Sequence, residues 1–444
     1  MSTATDRSPV TPTRSDRSVR RRWVAAVVLG LVAALAAVVP GGTASAEQAS
    51  SQTRRVAAAS LAAGGSHTCA LLTTGAVRCW GLGDSGQLGY GDTASVGAGA
   101  VGTETPTDVG DVPLGGTAVA IAAGDEHTCA LMDGGAVRCW GLGDDGRLGY
   151  GDTASVGAGD VGTETPADAG DVPLGGPAVA IAAGGAHTCA LMSTGAVRCW
   201  GLGNSGQLGY GDALAVGNGT NGGKETPADA GDVPLGGTAV AITATDVHTC
   251  AVMSTGAVRC WGYGGFAGLG YGDTETVGNG EHLDKATPAD AGDVPLGGTA
   301  VAVAAGVGHT CALMTTGAVR CWGSGTFGRL GYGDTDTVGD GSVLGKETPA
   351  DVGDVPLGGT AIAITAGRLH SCALMSSGGV RCWGAGGSGR LGYGDSVDIG
   401  AGLAVPPGRD ADQRRADGGD RDADGHADHE VAGRRDRMDR DRGT

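Results

Sequence analysis

The sequence predicts an all-β protein, a β-propeller of four-stranded antiparallel blades, and three observations predict it. A stretch typified by His187-Thr-Cys-Ala-Leu-Met-Ser-Thr-Gly-Ala-Val-Arg-Cys-Trp-Gly201 recurs six times, at a period of 60 residues twice and then 61. A fixed period of that size marks a stacked array of supersecondary units. Each copy consists of short apolar runs of strand length separated by glycine-rich turns, with no amphipathic helical pattern. Short antiparallel strands repeated around an axis solve the exposed-edge problem of a small sheet.

Taken in order, residues 1–46 read as an export signal: a polar start with Arg14, Arg17, Arg20, Arg21 and Arg22, an apolar run from Trp23 to Val39, and a small-residue site at Ala44-Ser45-Ala46. Arg20-Arg21-Arg22-Trp23-Val24 also loosely fits a twin-arginine signal. A retained membrane anchor needs a similar apolar length, but the small-residue site and the lack of flanking charge favour cleavage. Residues 47–55 are a linker. The propeller is expected over 56–398, as repeats of about 56–117, 118–177, 178–238, 239–299, 300–360 and 361–398.

Within a repeat, Ala178 to Ala182 reads as a first strand. Ser193-Thr194-Gly195 is then a three-residue turn, with glycine where a left-handed residue is needed, so the flanking runs form a hairpin. If Met192 and Ala196 close it as a hydrogen-bonded pair, counting outward places Cys189 opposite Cys199 in a non-bonded pair. Such pairs bring Cα atoms to about 4.5 Å, within reach of a disulfide. The same holds for Cys69 with Cys79, Cys129 with Cys139, Cys250 with Cys260, Cys311 with Cys321 and Cys372 with Cys382, which with the first pair account for all twelve cysteines. Free buried thiols are the alternative. A zinc site is disfavoured because each repeat leaves a tetrahedral centre one ligand short. A glycine-rich loop follows, and then Thr226-Pro-Ala-Asp-Ala-Gly-Asp-Val-Pro-Leu235, whose prolines suit a fourth strand at the edge.

The pattern V-x-I-A-A-G-x-x-H-T-C-A-L-x-x-x-G-x-V-x-C-W-G-x-G-x-x-G-Q-L-G, as it stands from Val179 to Gly209, resembles the regulator of chromosome condensation repeat family. The resemblance spans residues 56 to 398 and implies a β-propeller, usually of seven blades. It also implies kinship with secreted bacterial members that carry paired cysteines in these positions, one group of which inhibits β-lactamases by protein contact. The eukaryotic namesake, a chromatin-bound nucleotide exchange factor, is disfavoured because this chain has an export signal, an acidic surface and no basic arm. Only six repeats are recognisable here, and the sixth lacks a Thr-Pro-x-Asp-x-Gly-Asp-Val-Pro-Leu segment. The propeller is therefore expected to be incompletely closed. Residues 399–444, with Arg/Asp alternation from about Val405 onward, cannot supply a core and are expected to be a disordered tail, native or frameshifted.

Thirty basic against 48 acidic side chains give a net charge of −18, and because the leader holds six arginines against two aspartates, the remainder lies near −22. That argues against nucleic acid and anionic membrane as partners, since both require lysine and arginine. Export also suits twelve paired cysteines, so the expected location is extracellular.

Gly81-Leu-Gly83-Asp-Ser-Gly86 imitates a dinucleotide loop, but the following Gln87-Leu-Gly-Tyr-Gly cannot open the helix such a site needs. Gly83-Asp84-Ser85-Gly86 imitates a protease nucleophile segment, yet other repeats carry Asp145, Phe266 or Phe327 in place of the serine. His67, His127, His187, His248, His309 and His370 occupy one place per repeat and either ring the axis as metal ligands or, more simply, hydrogen-bond nearby backbone. Trp80, Trp140, Trp200, Trp261, Trp322 and Trp383 read as core. Loop aspartates such as Asp92 and Asp212 are candidate calcium ligands but lack the nine-residue repeat of calcium rolls. No cofactor or metal is expected.

The leading function is therefore a secreted module that binds a protein or a cell-surface polymer without catalysis. A hydrolase or lyase using a central opening, or a purely structural surface protein, are the alternatives. Differences between repeats concentrate in the pair before each histidine and in the loop after the third strand, which strand order places at one end of the blade. Phe266 and Phe327, the chain's only phenylalanines, with Tyr263, are the leading binding candidates, followed by Asp125, Glu126, Asp246, Arg368 and Leu369.

Overall fold

A computed structural model describes residues 58–99, 105–159, 164–220, 222–402 and 405. The export signal, the linker and all of the tail beyond residue 405 lie outside these described residues.

The strands are β1 (Ala58–Ala63), β2 (His67–Leu72), β3 (Val77–Gly81), β4 (Ala118–Ala123), β5 (His127–Met132), β6 (Val137–Gly141), β7 (Ala178–Ala183), β8 (His187–Met192), β9 (Val197–Gly201), β10 (Ala239–Ala244), β11 (His248–Met253), β12 (Val258–Gly262), β13 (Ala300–Gly306), β14 (His309–Met314), β15 (Val319–Gly323), β16 (Ala361–Ala366), β17 (His370–Met375) and β18 (Val380–Gly384). They form six antiparallel sheets, one per repeat, each with its three strands in sequence order.

The hairpin closes as its turn residues require. Met192 N donates to Ala196 O at 2.8 Å and Gly195 N to Met192 O at 2.9 Å, with Gly195 in left-handed backbone at φ 85°. From that pair the register runs Leu191 opposite Val197, Ala190 opposite Arg198 and Cys189 opposite Cys199, where the Cα atoms are 4.1 Å apart and the sulfurs bonded. The other repeats follow the same register. Cys69 is bonded to Cys79, Cys129 to Cys139 and Cys250 to Cys260, each with Cα atoms 4.1 Å apart. Cys311 is bonded to Cys321 and Cys372 to Cys382, each at 4.0 Å. Every bridge therefore lies within its own hairpin, and no free cysteine remains. In the chain-entropy account, closing a loop of about eleven residues contributes about 2.5–3 kcal/mol.

The expected fourth strand does not form. Its first residues are instead single helical turns, α1 (Pro106–Val109), α2 (Pro166–Ala169), α3 (Pro227–Ala230), α4 (Pro288–Ala291) and α5 (Pro349–Val352). The cause is local: threonine at the N-cap, proline at the first helical position and aspartate at the third complete a capping box, as with Thr226, Pro227 and Asp229.

What covers the outer edge of the third strand is a patchwork from three segments. On β6, Val172 N donates to Val137 O at 2.8 Å, and at the far end Gly141 and Val156 exchange both backbone bonds at 2.8 and 3.0 Å. Between them the Tyr150 hydroxyl accepts from Cys139 N and donates to Cys139 O, each at 3.0 Å. A phenol thus stands where a strand residue would be, and the tyrosines of other Gly-Tyr-Gly-Asp loops do the same: Tyr271 on Cys260, Tyr332 on Cys321 and Tyr393 on Cys382. Tyr90 bonds both backbone groups of Cys79 likewise. In the sixth repeat Ile399 bridges to Gly384 as Val156 does to Gly141, one residue past the boundary read from the sequence.

Contacts divide the described residues into two compact halves, one running to Leu202 and including Leu214–Asp232, the other comprising Gly203–Ala213 and the residues from Val233 onward. Inside each half the first strands of successive repeats are neighbours, β1 by β4 by β7 and β10 by β13 by β16, and each second strand packs on the next first strand. The tryptophans of repeats two to six are fully buried, as expected of core, and Trp80 is half-buried. At about 25 cal/mol per Å² and roughly 200 Å² of ring, each contributes on the order of 5 kcal/mol.

A polar lock joins successive repeats. His67 Nε2 donates to Thr128 Oγ1 at 2.8 Å, and that hydroxyl donates to Gln87 O at 3.0 Å. Trp140 Nε1 donates to the same carbonyl at 2.9 Å. Because the hydroxyl has one proton and gives it to the carbonyl, the network assigns the imidazole proton to Nε2. The arrangement recurs at His127 with Thr188, His248 with Thr310, and His309 with Ser371. The expectation that these histidines serve nearby backbone is corrected: each of these four reaches a hydroxyl of the following repeat. In β17, the second strand of the last repeat of its half, His370, Cys372 and Leu374 are only half-buried.

Candidate interaction face

The variable segments meet at one end of each repeat because the backbone joins them. Leu142 N donates to Glu126 O at 2.9 Å, Tyr263 N to Val247 O at 2.9 Å and Ser324 N to Gly308 O at 2.8 Å. The residue after the third strand is thus bonded to the residue before the histidine. At the other end the hairpin turn is bonded to the incoming link, Asp133 N to Thr117 O at 2.8 Å.

In the second half this end carries an aromatic group. Tyr263 is 41% exposed, Phe266 47% and Phe327 42%. Tyr263 and Phe266 meet edge to face with ring centroids 5.4 Å apart. Phe266 lies over Gly308 of the next repeat, where an added Cβ would stand 3.0 Å from its Cβ and Cγ. Phe327 sits in left-handed backbone at φ 63°, a conformation unfavourable for a bulky residue.

Arg329, two residues on, is not among the candidates the sequence singles out. Only 6% exposed, it donates from Nε to Thr326 O at 2.9 Å and from Nη1 to Val307 O at 2.8 Å, and its guanidinium carbon lies 5.9 Å from the Phe327 ring centre. Burial lowers its pKa. The signal that could have found it is the variation at one repeat position, which reads Gln87, Arg147, Gln207, Gly268, Arg329 and Arg390.

The remaining candidates are dispersed. Asp125 and Glu126 are exposed in the first half, where Glu126 lies 3.8 Å from Arg147. In the second half Asp246 and Leu369 are half-buried and Arg368 is exposed.

The loop acids are engaged otherwise than as calcium ligands. Asp273 and Glu275 hold Lys285, and Asp334 and Asp336 hold Lys346, so an ammonium occupies the place a cation would take in those two loops. Asp92 accepts from Ala94 N at 2.9 Å. Among the described residues no cluster of three histidine, cysteine or acidic side chains is placed to hold a metal. Burial depresses His127 and His309 to about 3 and His67 and His248 to about 4. The Gly83-Asp84-Ser85-Gly86 loop is tied up internally, Ser85 N and Asp84 Oδ1 both bonding the Gln87 amide.

The RCC1-like domain profile matches residues 29–401. The chain belongs to the RCC1-like domain family. The match begins inside the apolar run from Trp23 to Val39. Among relatives of this RCC1-like chain, the ultraviolet-B receptor UVR8 of Arabidopsis thaliana is 30% identical over 338 residues, 75% of this chain and 66% of that protein. The E3 ubiquitin-protein ligase HERC2 of Homo sapiens is 28% identical over 286 residues, 63% of this chain and 5% of that protein. The chain thus spans less than two thirds of the length of these relatives. Among solved structures, Prp20p of Saccharomyces cerevisiae superposes with a TM-score of 0.56 at 23% identity, over 79% of this chain and 77% of that one. Human WBSCR16 gives 0.57 at 19%, over 79% and 82%. At these identities the likeness establishes the fold: an RCC1-type propeller architecture, here of six three-stranded blades.

Proposed function

We propose that this RCC1-like chain is an exported module that binds another protein through the variable end of its repeats and performs no chemistry. The observation that carries the reading is the exposed group Tyr263, Phe266 and Phe327, one of whose members occupies left-handed backbone. A non-glycine residue there costs of order 1 kcal/mol; the repeat imposes the same backbone on Asp145 and Ser388, and in Phe327 it carries a large exposed aromatic where a small polar residue suffices elsewhere. Prp20p, a structural neighbour, has been studied for binding to Gsp1p and histones, which supports a binding role for the fold. Export is supported by the leader and by cysteines that are all in disulfides.

The test is the double variant Phe266→Ser and Phe327→Ser. The array itself carries serine at this position in Ser205 and, in left-handed backbone at φ 61°, in Ser388. The melting temperature is expected to stay within about 2 °C of the parent, while capture of a partner from envelope and secreted fractions falls at least about tenfold. Undiminished capture, or a large loss of stability, would refute the reading.

A further inference from the structure

The repeats contain an internal control for Arg329. In the second repeat the equivalent Arg147 is also buried, and its charge is met in place: Nη1 lies 3.8 Å from Glu126 and Nη2 3.5 Å from Asp145. The positions of those two acids are filled in the fifth repeat by Gly308 and Phe327. Arg329 keeps its two carbonyl bonds, but among the described residues it has neither an ion-pair partner nor a hydrogen bond from Nη2. The third arginine of the set, Arg390, is exposed, so water solvates its charge. A guanidinium that is withdrawn from water and lacks a counter-ion is costly to a fold. Here both acids are absent together, and aromatic surface stands in their place. Restoring an acid at Gly308 would displace Phe266, which fills the space a Cβ would need.

We propose that Arg329 makes this face selective for a protein segment presenting a carboxylate flanked by apolar side chains, the acid seating on Nη2 and the apolar groups on Phe266 and Phe327. The proposal rests on the reading of this face as an interaction surface and adds the chemistry it recognises. Hydrogen bonds between a guanidinium and a carboxylate are about twice as strong as neutral ones, more so where aromatic rings exclude water. An amide in place of the acid would leave the buried charge unmatched. The same arrangement disfavours basic segments, which the net charge of −18 alone would attract.

The test uses the isotopically labelled full chain and two capped tripeptides, Leu-Asp-Leu and its isostere Leu-Asn-Leu, titrated while the guanidinium Nε–H signals of Arg329 and Arg147 are followed by NMR. The aspartate peptide is expected to shift Arg329 and the amides of Gly308 and Phe327, to bind about tenfold more tightly than the asparagine peptide, and to leave Arg147 unmoved. Arg329→Gln should abolish that preference and still fold, since Gln87 and Gln207 occupy the position in other repeats. Equal affinity for the two peptides, both lost in the Phe266→Ser, Phe327→Ser variant, would overturn the role of Arg329 while sparing the face. No binding of either peptide would overturn both. An equal response to free glucuronate would overturn the assignment to a protein segment.

Discussion

A single side chain can be read here against five copies of itself. Thr245 shows this: the other repeats carry glycine at its place, as at Gly124, where an added Cβ would lie 2.5 Å from the His127 Nδ1. Among the described residues the Nδ1 atoms of His67 and His127 are buried without a partner, whereas the Thr245 hydroxyl bonds His248 Nδ1 at 2.9 Å. Because Nε2 carries the proton, Nδ1 can only accept, and the one hydroxyl proton of Thr245 is shared between it and His248 O at 3.2 Å. Thr245→Val keeps the shape and removes the donor, so it should lower the unfolding free energy by about 1 kcal/mol. Urea titration checks this, and an unchanged midpoint would show that the bond contributes nothing. Arg329 is legible by the same comparison. What hides it in the sequence is that one position of its missing counter-ions, 308, lies far back in the chain and is brought to Arg329 only in space.

At the scale of the element, the blade has three strands because its fourth is replaced. A sheet edge left bare would present unpaired donors and acceptors, and here Val172, Tyr150 and Val156 divide the edge of β6 among them. The phenol is half-buried, and burial raises its pKa, so it stays protonated and can both donate and accept. Tyr150→Phe leaves Cys139 N and O without partners in the interior. The expected cost is about 2–3 kcal/mol, read as a lower denaturation midpoint and faster exchange of the Cys139 amide. If the amide stays protected, another group covers the edge.

At the scale of the whole molecule, the recurring imidazoles make stability depend on pH. In the folded chain His67 and His248 titrate near 4 and His127 and His309 near 3, all displaced by burial, against 6.5 when unfolded. Between those values the unfolded chain holds more protons than the folded one, so the stability is fully present above about pH 6.5 and is lost as pH falls toward 4 and 3. One unit of displacement corresponds to about 1.4 kcal/mol, so a single such residue represents a few kcal/mol. The fall runs against the relief of charge repulsion expected as pH approaches the isoelectric point near 4.8. Denaturation midpoints at pH 7.5 and 5.0 should therefore differ, and His127→Gln should narrow the difference. A profile flat down to pH 4.5 would show that the imidazoles are not buried as described.

The sequence by itself determined the repeat, the strands, the hairpin register and the sulfur pairing. These rest on period and turn chemistry, where residues ten apart, such as Cys129 and Cys139 or Cys250 and Cys260, are already committed to one another. Only the tertiary structure decided what depends on residues meeting across the chain. Thr226 and Pro227 favour a helical turn over the alternation-free strand expected there, Tyr150, eleven residues after Cys139, completes the edge of its own blade, and His127 finds its hydroxyl 61 residues away in the next blade. The reason is physical: hydrogen-bond satisfaction in the interior is a matter of three-dimensional proximity, and side-chain pattern along one strand carries no record of which neighbour will supply the partner.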